Sequence, residues 1–225
     1  LKRFYHRWMW QNLINNVEAA VVHYPGCLQS LRKAGFKKPI YIQTQVGVDE
    51  ELFKPNPIIR KEMRKELNIE NKFVIGYSGN LGQAHDISTI LKAVEHFQYD
   101  NHIHFLFIGG GSGMRKIKDH VNKNNFNNVM FKPYQSREIL HLSLGVPDLH
   151  WITLEPKMEA FIVPSKIYGI LAAAKPIIFL GDKKGELSTV INKIGCGKTI
   201  EIGDSDNLIG TIKEFSKDIN SIQKM

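Results

Sequence analysis

From residue 73 onward, short apolar segments alternate with longer segments in which apolar residues recur at helical spacing. Short, almost wholly apolar segments between turn residues are typical of strands buried on both faces of a sheet. The intervening stripes predict amphipathic helices. Strands that alternate with helices through right-handed crossovers predict a doubly wound parallel sheet of the Rossmann-like α/β class. The predicted strands are 73–77, 104–108, 129–131, 149–154, 177–180 and 199–202.

The first part of the chain follows the same pattern less regularly. Two short strands are predicted at 19–22 and 39–42, and Pro55 and Pro57 mark a linker after them. We therefore predict the remnant of one domain together with its linker, followed by a larger second domain. The predicted parts are 1–57 and 58–225.

The chain is basic, with a formal net charge of +8, which favours anionic partners such as nucleotide phosphates or an acidic membrane surface. The lysines are scattered, and no RNA-binding consensus is present, so we do not expect nucleic acid as a partner. Residues 1–10 combine cationic and aromatic side chains on a predicted helix. That composition fits either peripheral membrane contact or packing against another protein surface.

Cellular location is constrained by the cysteines and by the lack of targeting segments. Cys27 and Cys196 are too few for a disulfide framework and favour a reducing compartment. The sequence contains neither a secretory signal nor an apolar run that could span a bilayer, so we expect a cytoplasmic location. The chain begins with Leu1 inside a predicted helix, so we expect a fragment or a processed chain.

Residues 163–179 predict a helix followed at once by a buried strand. Pro164 can open the helix because its missing N–H would be unpaired there, and Pro176 ends it. Ser165 and Lys166 then lie at the amino terminus, where free N–H groups and the positive end of the helix dipole attract anions. This helix start is a candidate anion site, although an ordinary helix that begins with Ser-Lys explains the same residues. The apolar stripe of the helix is Ile167, Ile170, Leu171 and Ala174.

Other turns fall at the same edge of the predicted sheet. Ligands of doubly wound sheets bind outside the carboxyl ends of the strands. Glycine-rich segments at 78–82 and 109–113 follow the first two predicted strands, and a Pro-Tyr turn follows the third. Glycines such as Gly109 and Gly111 allow a ligand to approach the backbone closely. The convergence of these turns strengthens the interpretation as an anion site.

Two glutamates are also predicted near this edge. Glu159 precedes Pro164, where its carboxylate could hold sugar hydroxyls or could belong to a solvated loop. Glu186 follows Gly185 at the start of the next predicted helix, a place where the helix dipole alone favours a glutamate. From the residues alone, both interpretations stay open for each glutamate.

Motifs of several other enzyme classes are absent from the sequence. The segment 109–113 has two glycines of the dinucleotide fingerprint, but Met114 takes the place of the third. The sequence has no GxxxxGK[ST] loop, no GxSxG nucleophile elbow and no zinc-like spacing of Cys, His and Asp. We therefore expect neither a metal nor a cofactor.

Several motifs, in order, resemble those of glycosyltransferase family 4 enzymes with the GT-B fold. GVDEELFKP at 47–55 resembles the linker of that family, and YSGNLG at 77–82 resembles its first glycine-rich loop. VPSKIYGILAAAKP at 163–176 is similar to the donor-site helix of the branch that makes bacterial surface polysaccharides. Further matches occur at 185–186 and 195–197, and the resemblance covers about residues 15–215.

This resemblance implies two Rossmann-like domains, of which the second binds a nucleotide-sugar donor, expected to be a UDP-sugar. It implies metal-independent transfer, with retention at the anomeric carbon, to a lipid-linked or polysaccharide acceptor at the inner face of the cytoplasmic membrane. The chain would then carry the donor site and only the end of the acceptor domain. Two alternatives are a nucleotide-sugar epimerase of the same fold and a catalytically degenerate binding module.

The resemblance also implies roles for individual residues. Lys166 and Glu159 would act in catalysis, with Glu159 contacting the donor sugar. The implied diphosphate ligands are Gly79, Asn80, Ser165 and Lys166. The implied nucleoside contacts are Gly109, Gly111, Pro133, Tyr134 and Glu186.

The chain departs from the family pattern at three positions. Gly169 stands where the helix alignment places a ribose-holding glutamate. Asn80 and His85 lie near the positions of the arginine and lysine that commonly bind the diphosphate. We therefore expect Lys166 to supply much of the positive charge.

Overall fold

The computed structural model describes residues 2–22, 25–43, 47–159, 162 and 164–218, without the side chains of 2–8 and 25. The chain divides into two compact units. One comprises the described residues within 1–47 and 159–162, and the other those within 48–158 and 163–225.

The N-terminal unit contains two helices and a parallel pair of strands. Its elements are Lys2–Asn16 (α1), Ala20–Val22 (β1), Pro25–Lys33 (α2) and Ile40–Ile42 (β2). Ile14, Val22 and Phe36 are buried in this unit. The predicted helix at the start of the chain is confirmed as α1. Most of the cationic and aromatic side chains of residues 1–10, on which the membrane interpretation rests, lie outside the described side chains. Among the described residues, no helix is both long and apolar enough to cross a membrane.

The C-terminal unit alternates strands and helices. Its described strands are Phe73–Asn80 (β3), Ile103–Gly110 (β4), Val129–Lys132 (β5), Leu149–Thr153 (β6), Ile177–Leu180 (β7) and Gly197–Ile200 (β8). Its described helices are Glu50–Phe53 (α3), Pro57–Glu66 (α4), Ser88–His96 (α5), Ser112–Asn124 (α6), Arg137–Gly145 (α7), Lys166–Ala172 (α8), Glu186–Ile194 (α9) and Ser205–Lys217 (α10), with a 3₁₀ turn at Pro156–Met158.

The six described strands of this unit form one parallel sheet in the order β5-β4-β3-β6-β7-β8. The order runs outward from β3 in one direction and from β6 in the other. A doubly wound sheet with this order places its ligand crevice at the carboxyl ends of the two strands between which the direction reverses. The predicted Rossmann-like class is confirmed, and the switch point lies between β3 and β6.

The sheet is held by a core of aromatic and aliphatic side chains on its two faces. Tyr77 and Trp151 are almost fully buried and pack with ring centroids 4.7 Å apart. Phe107 adds an edge contact to Trp151 at 5.9 Å. Each buried side chain of this size contributes roughly 1.5–3 kcal/mol. The core therefore fixes the ends of β3, β4 and β6, from which the crevice loops leave.

Three strands differ from the prediction by more than one residue at an end, and one of them is β4, which continues through Gly109 and Gly110. β3 continues through Gly79 and Asn80, which the sequence analysis assigned to a turn, because these residues pair with Gly109 and Gly110 on β4. The predicted strand at 199–202 begins and ends two residues earlier, as β8. Its pairing with β7 ends at Ile200, and the chain then turns.

Candidate functional site

The two glycine-rich loops meet at the carboxyl ends of β3 and β4. Gly79 has φ +127° and Gly109 has φ +125°, and residues other than glycine rarely adopt such a backbone conformation. A Cβ on Gly109 would overlap the carbonyl oxygen of Gly79. The structure therefore brings these two predicted site residues into contact and explains why both are glycines.

Further contacts lock the loops together. The Leu81 N–H donates to the Gly110 carbonyl at 2.7 Å, and the Gly113 N–H donates to the Leu81 carbonyl at 2.8 Å. The Asn80 side chain lies against Gly111, because a Cβ there would fall 2.5 Å from Asn80 Oδ1. The predicted diphosphate residue Asn80 and the predicted nucleoside residue Gly111 are thus neighbours on one rigid edge.

Lys166, the first residue of α8, reaches across the switch point to β3. Its Nζ lies 3.9 Å from the centroid of the Tyr77 ring. A Cβ on Gly79 would be 3.2 Å from the same nitrogen, so the amine lies beside the first loop. The amine is buried and makes no hydrogen bond with any described residue. The side chain that the sequence singled out therefore ends where a loop-bound anion would lie.

The electrostatics around this amine favour an incoming anion. Burial lowers the pKa of Lys166 to about 7. Burial, followed by the nearby Lys166 charge, also lowers the pKa of His85. Burial and the neighbouring Tyr134 raise the pKa of Tyr77, so its ring faces the amine as a neutral π-system. A dianion at this point would stabilise the ammonium form and be attracted by it.

Tyr77 lies beside the Lys166 amine, although the sequence analysis gave it no role in the site. Its hydroxyl donates to the Asn80 carbonyl at 2.9 Å, which ties the ring to the first loop. The opposite side of the ring packs within the core near Trp151. A signal was present in the sequence, since tyrosine carries a polar tip and here ends an apolar strand before a glycine-rich loop.

His85 lies on a segment of the first loop that is fixed to the neighbouring strand. The Glu155 N–H donates to the Ala84 carbonyl at 2.8 Å, and the Asp86 N–H donates to Thr153 Oγ1 at 3.2 Å. His85 Nδ1 lies 3.2 Å from the Gly82 nitrogen. The lowered pKa leaves this imidazole mostly neutral near pH 7. Lys166 is accordingly the main cation here.

Tyr134 flanks the second loop. A Cβ on Gly110 would be 3.0 Å from Tyr134 Cε2, so the ring lies on the backbone of that glycine. Tyr134 is 59% exposed and Pro133 beside it is also exposed. An exposed aromatic face next to a bare glycine backbone leaves room for a flat ring, and the nucleoside role of Tyr134 stays a prediction.

The helix start around Ser165 differs from the prediction in two respects. Ser165 is exposed, has helical dihedral angles and makes no capping hydrogen bond through its side chain. The helix ends at Ala172 instead of continuing to Pro176, because Ala174 adopts a left-handed conformation with φ +50°. With only seven residues in α8, the helix dipole is a weaker source of attraction than Lys166.

The remaining predicted site residues are two glutamates, Glu159 and Glu186. Glu186 is exposed at the first position of α9, which begins after the carboxyl end of β7. Glu159 follows the 3₁₀ turn, groups with the N-terminal unit and has a buried Oε1. Their roles toward nucleoside and sugar stay predictions. Among the described residues, no group of three or more His, Cys, Asp and Glu side chains is arranged to hold a metal ion.

Gly169 is buried on the face of α8 that packs against α3 and α7. A Cβ there would lie 3.0 Å from Leu144 Cδ1 and 3.2 Å from Phe53 Cε1. Any larger side chain would first meet these two apolar groups. The close packing of α8 against α3 and α7 therefore explains why this position is a glycine and not the glutamate of the family pattern.

Comparisons with known proteins agree with this geometry. The family model described as glycosyl transferases group 1 matches residues 59–225. WbjE of Pseudomonas aeruginosa, named as a glycosyltransferase, is 29% identical over 154 residues, which are 68% of this chain and 38% of WbjE. WcaI of Escherichia coli (strain K12) is named as a glycosyl transferase of colanic acid biosynthesis. It is 24% identical over 154 residues, which are 68% of this chain and 38% of WcaI.

Among solved structures, the complex of Anabaena Alr3699/HepE with UDP-glucose superposes with a TM-score of 0.76 and 17% identity, covering 99% of this chain and 62% of HepE. At this identity the match establishes the fold, which is that of GT-B glycosyltransferases. This chain spans less than two fifths of the length of the two curated relatives it matches. The family match over most of the chain, together with the doubly wound sheet, shows that the chain belongs to the glycosyl transferases group 1 family.

Proposed function

We propose that this chain carries the nucleotide-sugar site of a retaining glycosyltransferase that uses a UDP-sugar. The observation that carries the proposal is the buried, unpartnered Lys166 amine beside the Gly79 loop at the switch point. The UDP-glucose complex of the similarly folded HepE supports the class of donor. The name of WcaI, which refers to colanic acid biosynthesis, supports a glycan acceptor. A lipid-linked acceptor at the inner face of the cytoplasmic membrane is part of the proposal.

The proposed chemistry is glycosyl transfer in which the diphosphate is the leaving group. The bond between the anomeric carbon and the β-phosphate oxygen breaks, and its electron pair stays on UDP. The acceptor hydroxyl oxygen forms the new bond, and its proton passes to the departing diphosphate. The Lys166 ammonium, with the loop N–H groups, would stabilise the negative charge that develops on the diphosphate. Glu159 would hold the donor sugar.

Lys166 is well suited to this task because its charge responds to the ligand. Its pKa of about 7 leaves the amine partly neutral before binding. The diphosphate raises that pKa, so the full charge appears only when the anion is present. Neutral Tyr77 supports the ammonium through its ring face, an interaction worth up to about 2 kcal/mol in a desolvated site.

The test is calorimetric titration of the chain with UDP. We expect saturable binding, and Lys166→Met should weaken it by at least about tenfold, since a charge-assisted contact contributes roughly 1.5–3 kcal/mol. Lys116→Met is the matched control because Lys116 is exposed on α6, and it should bind as the wild type does. No binding of any nucleoside diphosphate to the folded chain would refute the proposal.

A further inference from the structure

A cavity lined by several charged side chains lies at the opposite edge of the sheet in the C-terminal unit. It measures about 620 Å³ and is lined from α4, from the segments that lead into β3, β4 and β7, and from the end of α7. Cavities of roughly 300–1,000 Å³ are the usual size for small-molecule sites. β3 separates the two edges by its eight residues, or roughly 25 Å. This cavity is therefore distinct from the candidate donor site.

Cations dominate the charged side chains that line the cavity. They are Arg60, Arg64, Lys72 and Lys175, against Asp148 and Glu70. Asp148 is shared by two guanidinium groups, with Arg60 Nη2 at 2.5 Å and Arg64 Nη1 at 3.0 Å. Glu70 is exposed on the rim. Asp148 thus serves two arginines, and within the described part of the chain neither lysine forms an ion pair with a carboxylate.

Lys175 is the least compensated of these cations. Its backbone N–H closes the end of α8 on the Ile170 carbonyl, which fixes the residue at the cavity wall. Its ammonium makes no hydrogen bond or ion pair with any described residue. Burial, followed by the charge of Arg60, lowers the pKa of Lys175 to about 8, with Arg64 adding to this and Asp148 opposing it. Lys175 is half-buried, and a partly desolvated cation that feels the charges of Arg60 and Arg64 favours an anionic ligand.

Arg60 also retains a donor that can serve a ligand. Its Nε donates to the Gly145 carbonyl at 3.1 Å and its Nη2 is used by Asp148. Its Nη1 has no hydrogen-bond partner among the described residues. Arg64 differs, because both of its terminal nitrogens donate to backbone carbonyls, among them that of Val146.

We propose that this cavity is a second anion site, which binds a phosphomonoester or diphosphate group between Lys175 and Arg60. Phosphate oxygens match the fixed fork of a guanidinium, and a lysine adds a point charge. Such a group can come from a soluble phosphorylated compound or from the headgroup of a membrane lipid. Both sources present the same chemistry to the cavity.

The test uses the ¹⁵N-labelled chain in the presence of saturating UDP, titrated in separate arms with inorganic pyrophosphate and with phosphatidic acid vesicles. We expect the backbone signals of Asn71, Gly145 and Ala174 to shift in at least one arm, which identifies the source. Signals from Gly79 and Gly109 should stay unchanged. This mapping on the wild type needs no variant to fold.

Two variants complete the test. Lys175→Met keeps the length of the side chain and should weaken binding by at least about tenfold. Lys116→Met should stay within about twofold of the wild type, since an exposed distant lysine contributes little. Shifts confined to the Gly79 loop, no shifts in either arm, or wild-type affinity in Lys175→Met would overturn the proposal. UDP binding is measured separately through Lys166, so the two proposals fail independently.

Discussion

At the scale of single residues, Lys166 shows how a binding group can oppose stability. A buried polar group without a hydrogen bond costs roughly 1–3 kcal/mol, and the Lys166 amine makes no hydrogen bond with a described residue. Replacing it by methionine keeps an unbranched apolar side chain in the same space. We therefore expect Lys166→Met to raise the free energy of unfolding by about 1–2 kcal/mol.

Urea denaturation followed by circular dichroism measures this change as a shift in the midpoint. The exposed Lys116→Met should stay within about 0.5 kcal/mol of the wild type. A less stable Lys166→Met would mean that the contact with the Tyr77 ring stabilises the amine by more than its burial without a hydrogen bond costs, and would contradict this prediction.

The same lysine predicts how UDP binding depends on pH. Its pKa is lowered to about 7 by burial, and a diphosphate raises it in the complex. The protonated form binds better, so the contribution of Lys166 to affinity should be fully present below pH 7. It should then fall by up to about tenfold per pH unit above pH 7 until the pKa of the complex is reached. Calorimetry between pH 7 and pH 9 gives the slope. Lys166→Arg stays charged and should flatten it, and a slope that persists in that variant would point to another group.

Sequence reasoning reached Lys166 but not its surroundings. The position of the lysine after Pro164 and before an apolar stripe was enough to predict an anion contact. The support from Tyr77 depends on α8 crossing toward β3, and that crossing follows from strand order, which the hydrophobic pattern does not encode. For the same reason the far-edge cluster of Arg60, Asp148 and Lys175 could not be predicted, since its members are far apart in the chain.

At the scale of elements, the end of α8 contains a strained residue that a single change can relax. Ala174 has φ +50°, and its N–H bonds the Leu171 carbonyl while the Lys175 N–H bonds that of Ile170. This is a Schellman motif with alanine at the position that favours glycine. We expect Ala174→Gly to raise the free energy of unfolding by about 0.5–1 kcal/mol, because the left-handed penalty exceeds the entropy cost of glycine.

Helix α9 offers the matched reverse change. Gly195 has φ +73°, and a Cβ there would meet no atom within 4 Å, so only backbone conformation is altered. Gly195→Ala should lower the free energy of unfolding by about 1 kcal/mol. Thermal denaturation of both variants measures these opposite changes as shifts in Tm. Changes of the same sign in the two variants would show that left-handed strain is not the cause.

The elements themselves were predictable where local signals agree. β7 was predicted at its observed bounds, and α9 ends at Gly195 as the glycine implied. The larger errors lie at β3, β4, β8 and α8. There the boundary is set by pairing with a neighbouring strand, or by an alanine in a conformation that its side chain disfavours. Neither cause is visible in the periodicity of one segment.

At the scale of the molecule, one strand order places a group of polar or charged residues at each of the two edges of the sheet in the C-terminal unit. The reversal between β3 and β6 brings the glycine loops and Lys166 together at the carboxyl edge. The same reversal brings α4 and the segments before β3 and β7 around a cavity at the other edge. The sequence predicted the class of fold and hence the first edge, because ligands of such sheets follow a general rule. No such rule applies to the amino-terminal edge.

The ion network around Asp148 predicts how strongly the far edge supports the whole unit. Asp148 accepts from Arg60 and Arg64 on α4 and also from the Val74 N–H on β3 at 2.8 Å, so it links elements more than seventy residues apart. Asp148→Asn keeps the shape but leaves two guanidiniums without their carboxylate. Breaking such a pair costs roughly 3–5 kcal/mol when it is fully buried. Because Arg60 is partly exposed, we expect urea denaturation to show a free energy of unfolding that is lower by about 2–4 kcal/mol.

The control variant Glu214→Gln removes the exposed pair with Lys198 and should lower the free energy of unfolding by less than about 1 kcal/mol. Equal losses in the two variants would mean that the Asp148 network behaves as an ordinary surface pair, and that α4 is held to the sheet by apolar packing alone.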